Sequence, residues 1–200
     1  INVINQNKEL VYKKEYFNIY DYKTKNSIEN TIKSIKYSHK ECLSNNFLGM
    51  ITLPIRKDLI IKNINKKFIG HTEYLQKLEN KSYSNMILFH KKVIISPITT
   101  HIRLSDVAKE IKNSKLFINK LLSLNTTLIR DFDIKKPKIL ISGMNPHAGE
   151  NGNIGKEEEE IIIPLIKKIK NMKVDIKGPV SADSILISND LKDYDCFVFI

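Results

Sequence analysis

The sequence contains no tryptophan, only two cysteines and no long uninterrupted run of apolar residues. Cys42 and Cys196 lie far apart and form neither a Cys-x-x-Cys pair nor a Cys/His cluster, so nothing implies a disulfide framework or a structural zinc site. We expect both thiols to be reduced and buried. No segment approaches the roughly 20 apolar residues of a transmembrane helix, and the polar, lysine-bearing start lacks the apolar run of a signal peptide. These absences predict a cytoplasmic protein without a membrane partner.

Acidic residues are the minority among the charged ones, with 22 Asp and Glu against 33 Lys and Arg, and the formal net charge is +11. A basic surface could bind nucleic acid. The lysines are scattered along the whole chain, however, and basic and aromatic residues do not alternate as a base-stacking platform requires. We therefore expect no nucleic-acid partner, and the alternative of a nucleic-acid-binding module predicts a contiguous basic face. The same charge would steer a small phosphorylated substrate toward the protein.

Apolar periodicity predicts alternating helices and strands in this chain of 200 residues, 42% of them hydrophobic. Predicted helices cover residues 27–45 with Ser27 as N-cap, 54–61, the stretch after 73 up to 80, 104–131 with a break near 113–114, and 156–171 with a kink at Pro164. Predicted strands cover residues 47–53, 86–89, 93–96, 138–142 and 195–200. No Asn-Gly hairpin signal joins adjacent strands, so we expect an α/β fold with a largely parallel sheet.

The most informative segment is Gly143-Met-Asn-Pro-His-Ala-Gly-Glu150, directly after the predicted strand 138–142. This position puts His147 at the mouth of the sheet, and imidazole is a good ligand for Zn²⁺ and related metals. Glycines at 149, 152 and 155 let backbone N–H groups approach an anion near the start of the next helix, whose first turns hold the glutamates 157–160. The alternative is that His147 only caps a loop. The glycine spacing lacks Gly-x-Gly, so it does not indicate a dinucleotide site.

Two further segments carry histidines. His101 also follows a predicted strand directly, so it could converge with His147, although a histidine taken alone at such a position is more often a hydrogen-bonded structural residue than a ligand. The Gly70-His71-Thr72-Glu73 turn offers an imidazole, a hydroxyl and a helix N-terminus, which suit a phosphate or carboxylate. Its alternative is an ordinary helix start with Thr72 as N-cap.

Five segments occur together in a fixed order. They are Gly70-His-Thr-Glu73, Thr100-His101, Asn145-Pro-His-Ala-Gly-Glu150, Gly155-Lys-Glu-Glu158 and Gly178-Pro-Val-Ser-Ala-Asp183. In order and approximate spacing they resemble the 4-hydroxythreonine-4-phosphate dehydrogenases of vitamin B6 synthesis. The resemblance covers about residues 48–200, whereas residues 1–46 carry no motif that can be placed.

The resemblance implies roles for particular residues. His101 and His147 would be metal ligands, His71 and Thr72 would hold the substrate, and Asp183 would be a candidate catalytic residue near the active site. Lys57 matches the family lysine that follows a Thr-Gly-Pro segment, but this chain has Thr52-Leu53-Pro54 there. The family's third metal histidine follows a strand that matches residues 195–200 and is absent here. So are the opening Gly-Asp-Pro-Ala-Gly loop and the later phosphate-binding basic residues. We therefore expect a central piece lacking both ends, and a poor catalyst.

The resemblance also implies a fold and a reaction. The fold would be the two-lobed type of the isocitrate and isopropylmalate dehydrogenases, incomplete here, in a homodimer with the site at a lobe boundary that the sequence does not place. A divalent metal (Zn, Mg or Co) and NAD or NADP would serve oxidation of 4-phosphohydroxy-L-threonine to a β-keto acid, which decarboxylates to 3-amino-2-oxopropyl phosphate. His71, His101 and His147 would then lie near one cleft. Alternatives are a sister dehydrogenase for phosphothreonate or phosphoerythronate, and a partial, inactive chain.

Overall fold

The computed structural model describes residues 2–5, 14–15, 18–21, 26–91, 93–185 and 192–200. The chain divides into two compact units, one from Ile1 to Asn80 and one from Lys81 to Ile200. This boundary had no linker-like signal in the sequence. Within the described residues, no helix is both long enough and apolar enough to cross a membrane.

The first unit combines a short parallel strand pair with three helices. The elements are β1 (Asn2–Asn5), β2 (Asn18–Asp21), α1 (Ser27–Leu43), α2 (Lys57–Asn63) and α3 (His71–Leu78). All three predicted helices are present, but α2 begins at Lys57 rather than at Pro54. The N-cap of α1, however, is Asn26 rather than Ser27, because the Asn26 side chain accepts hydrogen bonds from the N–H groups of Ile28 (3.0 Å) and Glu29 (3.3 Å). A small core of Ile32, Ile60 and Phe68 joins α1, α2 and the segment before α3.

The predicted strand over residues 47–53 is wrong. This segment has no regular secondary structure, and Leu48, Ile51 and Leu53 are exposed. An isolated apolar run becomes a strand only when a neighbouring strand takes up its backbone hydrogen bonds. None of the described strands lies beside it.

The second unit is built on a five-stranded sheet in the order β3-β4-β7-β5-β6. Its strands are β3 (Leu88–His90), β4 (Val93–Pro97), β5 (Lys138–Ser142), β6 (Asp175–Val180) and β7 (Cys196–Phe199). All pairings are parallel except that of the edge strand β3 with β4. The predicted α/β class with a largely parallel sheet is confirmed. The β3–β4 hairpin was not expected, because Lys91 occupies its positive-φ turn position (φ 53°) where Gly or Asn would be the signal.

Helices cover one face of this sheet. They are α4 (Val107–Ile111), α5 (Ser114–Asp131) and α6 (Ile163–Asn171). The predicted break near residue 113 is confirmed, and the Asn113 side chain accepts the Leu116 N–H at 3.2 Å to cap α5. A π-helical turn over Glu158–Ile162 leads into α6. Pro164 has no N–H for the preceding turn, which accounts for the irregular winding there.

A large apolar core on the helix-covered face holds the second unit together, and a smaller cluster of Leu140, Ile185 and Phe197 lies on the other face of the sheet. Side chains of β5, α5 and α6 form the centre of the large core, and Leu121, Leu128, Ile139, Ile162 and Ile169 are each 0% exposed. Strand β5 is buried from Ile139 onward because it has a neighbouring strand on each edge and apolar cover on its faces. The loops that follow β4, β5 and β6 therefore start from strands whose positions are held by this packing.

The two thiols differ in burial, which gives a testable difference in reactivity. Cys196 is fully buried in β7, and burial, assisted by the nearby Asp195 charge, raises the pKa of its thiol to about 12. Cys42 is only half-buried, so the expectation of burial holds for one cysteine and not for the other. At mildly alkaline pH we expect a thiol-specific disulfide reagent to label Cys42 in the native chain and both cysteines in denaturant. A Cys42→Ser variant should show no native labelling, and rapid native labelling of Cys196 would contradict the structure.

Candidate functional site

The sequence-predicted residues of the second unit lie at one edge of its sheet. Strands β4, β7, β5 and β6 run parallel, so the loops after them leave from the same, carboxyl, edge. His101 lies in the loop after β4, His147 in the loop after β5, and Asp183 in the loop after β6. Strand β7 runs between β4 and β5, so the two histidine loops leave from strands about 10 Å apart. The structure thus brings these three segments to one edge.

The His147 loop has an unusual backbone. His147, Ala148, Gly149, Glu150 and Asn151 all have positive φ, from 46° to 78°. For residues other than glycine this left-handed region costs roughly 1–2 kcal/mol each, so such a run persists only where surrounding groups hold it. Strain of this kind is common at ligand and catalytic sites.

The groups that hold the loop belong to Glu158, which is 2% exposed. Its Oε1 accepts the backbone N–H groups of Met144 (2.7 Å) and Asn145 (2.8 Å). Its Oε2 accepts the Asn145 side-chain Nδ2 at 2.8 Å, and the same Nδ2 donates to Glu157 Oε2 at 2.8 Å. Burial by itself would raise the pKa of Glu158, but these accepted hydrogen bonds outweigh it and the pKa is lowered. The carboxylate is therefore ionised at neutral pH.

The glycines of this loop have a different role from the one that the sequence suggested. An anion does occupy the backbone N–H groups before the helix, but it is the protein's own Glu158 carboxylate. A Cβ on Gly149 would lie 2.7 Å from Glu158 Oε2, and a Cβ on Gly155 would overlap with the Asn145 side chain. These glycines permit close packing around the glutamate.

Asp183 is exposed and interacts with the His147 loop. Ser181 Oγ donates a hydrogen bond to Asp183 Oδ1. That bond is the main reason why the pKa of Asp183 is lowered, and an electrostatic interaction with His147 acts in the same direction. Asp183 therefore interacts electrostatically with the loop that follows β5.

His101 is exposed and has positive φ (57°). Ile98, three residues before it, is held by two hydrogen bonds. The Ile98 N–H donates to Phe199 O at 2.8 Å, and Lys120 Nζ on α5 donates to Ile98 O at 2.7 Å. The described part of the chain contains no group of three or more His, Cys, Asp and Glu side chains that could hold a metal ion. Two imidazoles on loops from the same edge fit part of a divalent-metal ligand set, since catalytic sites commonly use three protein ligands.

The first unit contains the predicted substrate residues. His71 is the first residue of α3, and Thr72 lies half-buried beside it. The N-cap is Gly70, so Thr72 as N-cap is wrong. A Cβ on Gly70 would lie 3.1 Å from Glu73 Oε2 and 3.5 Å from Lys57 Nζ, which shows that Lys57 reaches this turn. The family lysine and the Gly-His-Thr-Glu segment therefore meet.

A cavity of about 320 Å³ adjoins this turn within the first unit. His71 lines it, and the His71 Nε2 atom is buried with no hydrogen-bond partner among the described residues. One wall carries hydroxyl groups that α1 presents at helical spacing, namely Thr31, Ser34 and Ser38. The opposite wall includes residues 50–55, with Leu53 where most family members have glycine. A buried unpaired imidazole nitrogen beside several hydroxyls suits a polar small molecule.

Comparison with known proteins identifies the family. The sequence profile of the pyridoxal phosphate biosynthetic protein PdxA matches residues 2–200. The chain belongs to the PdxA family. The family resemblance inferred from the five motifs is thereby confirmed, and the match extends into residues 1–46, where no motif could be placed.

Two curated relatives of this PdxA-family chain show how far the similarity extends. A 4-hydroxythreonine-4-phosphate dehydrogenase of Sulfurihydrogenibium sp. is 38% identical over 171 residues, which are 86% of this chain and 50% of the relative. One from Wigglesworthia glossinidia brevipalpis is 40% identical over 157 residues, or 78% and 47%. The chain thus spans about half the length of the curated relatives that it matches.

Solved structures agree on the fold. A 4-hydroxythreonine-4-phosphate dehydrogenase from Klebsiella pneumoniae superposes with a TM-score of 0.76 at 26% identity, over 86% of this chain and 52% of the other. A putative one from Salmonella typhimurium gives 0.81 at 21% identity, over 100% and 64%, and supports the fold alone. The predicted isocitrate dehydrogenase-like α/β fold class is confirmed.

Sequence interpretation missed two supporting residues of this PdxA chain. Glu158 was assigned only to the helix dipole, yet it lies on the apolar stripe of its helix, spaced i, i+4, i+7 and i+11 with Ile162, Leu165 and Ile169. A glutamate on a buried stripe is the signal that could have singled it out among its acidic neighbours. Lys120 had no comparable signal, because its contact with the loop before His101 depends on tertiary packing.

Proposed function

We propose that this chain supplies part of the active site of a dehydrogenase that oxidises 4-phosphohydroxy-L-threonine with NAD or NADP. The product is a β-keto acid that loses CO₂ to give 3-amino-2-oxopropyl phosphate. The observation that carries the proposal is the placement of the His101 and His147 loops at one sheet edge, with β7 between them. Ile200 N donates to Ser142 Oγ at 3.2 Å, so a residue that followed Ile200 in a longer form would emerge between the two loops.

Each proposed residue has a chemical task. His101 and His147 would hold a divalent metal (Zn, Mg or Co), which supplies Lewis acidity to the substrate hydroxyl when it is bound. His71 and Thr72 would donate hydrogen bonds to the anionic groups of the substrate, as the unpaired Nε2 of His71 allows. Asp183, whose pKa is lowered mainly by the hydrogen bond from Ser181, lies in the loop after β6 at the same sheet edge and is the candidate group for accepting a proton or orienting the His147 imidazole.

The proposal includes the homodimer and the cytoplasmic location that go with the family resemblance. A sister dehydrogenase acting on phosphothreonate or phosphoerythronate is an alternative, because His71, Thr72 and the hydroxyl wall of the cavity suit any small phosphorylated acid. An inactive chain is the second candidate, because only two metal-binding imidazoles lie at the described sheet edge.

Nicotinamide reduction tests the proposal directly. The 200-residue chain would be compared with a longer form in which the second half of the Sulfurihydrogenibium relative is joined after Ile200. Each would be assayed with 4-phosphohydroxy-L-threonine, with and without chelator. We expect metal-dependent reduction in the longer form and at most weak reduction in the 200-residue form. Reduction with a sister acid alone would replace the substrate, and a folded longer form with no activity on any of them would reject the proposal.

A further inference from the structure

We infer that Glu158 is a positioning residue for His147: its buried carboxylate holds the left-handed loop that presents the imidazole at the sheet edge. The loop geometry stands on the structure alone, whereas the consequence for metal binding rests on the proposed role of His147. Glu158 would touch neither metal nor substrate, and it would act through the backbone of Met144 and Asn145.

The hydrogen bonds are directed at the start of the loop. Both carboxylate oxygens of Glu158 are used, one by the two consecutive N–H groups of Met144 and Asn145 and the other by the Asn145 side chain. All three distances lie between 2.7 and 2.8 Å. Charge-assisted hydrogen bonds of this length are about twice as strong as neutral ones, so the carboxylate determines where the chain enters the turn at Pro146.

The loop also encloses the carboxylate sterically. A Cβ on Gly143 would lie 3.0 Å from Glu158 Oε1, and one on Gly149 would lie 2.7 Å from Glu158 Oε2. Glycine therefore occupies two positions at which a larger residue would crowd the glutamate, one before His147 and one after it. Gly149 also needs its positive φ of 78°.

The glutamate itself is held by the core. Glu158 begins the π-helical turn whose Ile162 is 0% exposed and packs against the sheet. Core packing thus holds Glu158 in place, and its hydrogen bonds to Met144 and Asn145 in turn hold the backbone that leads to His147. Without it, the run of positive φ from His147 to Asn151 would relax, because most of these residues favour other conformations.

Glu158→Gln in the 200-residue chain is the test variant, because it keeps shape and replaces one accepting oxygen with a donor. Glu160→Gln is the matched control, with the same charge change on an exposed neighbour. Amide hydrogen exchange at Met144 and Asn145 should become at least about 10-fold faster in E158Q and stay unchanged in E160Q. Unchanged exchange rates of the Met144 and Asn145 amides in E158Q would show that Glu158 does not hold the loop, and would overturn the inference.

Zinc affinity, measured by titration of the folded chain, tests the consequence for His147. E158Q should weaken Zn²⁺ binding by about 10- to 100-fold, as is typical when a group that orients a metal ligand is lost. In a His147→Ala background E158Q should have no further effect, since a positioning residue acts only through its ligand. An equal effect of E158Q in both backgrounds would overturn positioning. If H147A alone left Zn²⁺ affinity unchanged, the proposed metal role of His147 would fail, while hydrogen exchange would still decide the loop geometry.

A milder variant covers the case in which E158Q does not fold. Asn145→Ala removes only the side-chain donor and leaves both backbone N–H groups on Glu158 Oε1. It should accelerate exchange and weaken Zn²⁺ binding in the same direction, by a smaller factor. Wild-type values for both measurements in a folded N145A chain would also overturn the inference.

Discussion

The substitution Gly178→Ala is expected to lower the free energy of unfolding of residues 81–200 by about 3 kcal/mol or more. Gly178 lies in β6 with φ of 120°, a conformation that alanine rarely adopts. A Cβ there would overlap with the carbonyl oxygen of Ile141 and lie 2.9 Å from its Cγ2. Ile141 is 0% exposed in the central strand β5, so its backbone cannot move aside without disrupting the sheet.

Gly152→Ala separates steric overlap from backbone strain. Gly152 also has positive φ (84°), but the nearest atom to its Cβ would be Glu159 Oε2 at 3.4 Å, at the end of a flexible side chain. We expect G152A to lower the free energy of unfolding by only about 1 kcal/mol. Urea unfolding of both variants, followed by circular dichroism, measures the difference. Equal midpoints for the two variants would show that β5 does not pass close to Gly178.

Under the proposed function, replacing His147 with alanine in the longer form should lower turnover about a thousandfold, because several kcal/mol of transition-state stabilisation would depend on the bound metal. His101→Ala should have a loss of the same order, since the two imidazoles would serve the same ion. Addition of excess metal should restore part of the activity of either variant, because ligand loss weakens binding without removing the remaining ligands.

His90→Ala is the matched control for these variants. His90 is exposed and pairs with Val93, at the amino end of β4, so it lies at the opposite edge of the sheet from His101. Its turnover should stay within about twofold of the unsubstituted enzyme. Steady-state nicotinamide reduction at saturating substrate measures all three variants. Full activity of H147A together with a large loss of activity in H90A would place the reaction at the edge that carries His90 and would contradict the proposed site.

Local chemistry was sufficient to predict most helices and the most buried strand. The apolar spacing of α1 and α5, and the continuous apolar run of β5, each reflect contacts that the segment itself requires. The break at Asn113 was predictable for the same reason, because an asparagine can cap the helix that follows it. Residues 47–53 show the limit, since a strand needs a partner that no local pattern provides.

The sequence by itself determined the α/β class, the family and the candidate residues His71, Thr72, His101, His147 and Asp183, because periodicity and motif order are properties of the chain alone. Only the tertiary structure decided that β7 runs between β4 and β5 and that the N–H groups of the His147 loop are occupied by Glu158. Strand order and buried hydrogen bonds join residues that are distant along the chain. They depend on how the whole sheet packs, which no local pattern of residues specifies.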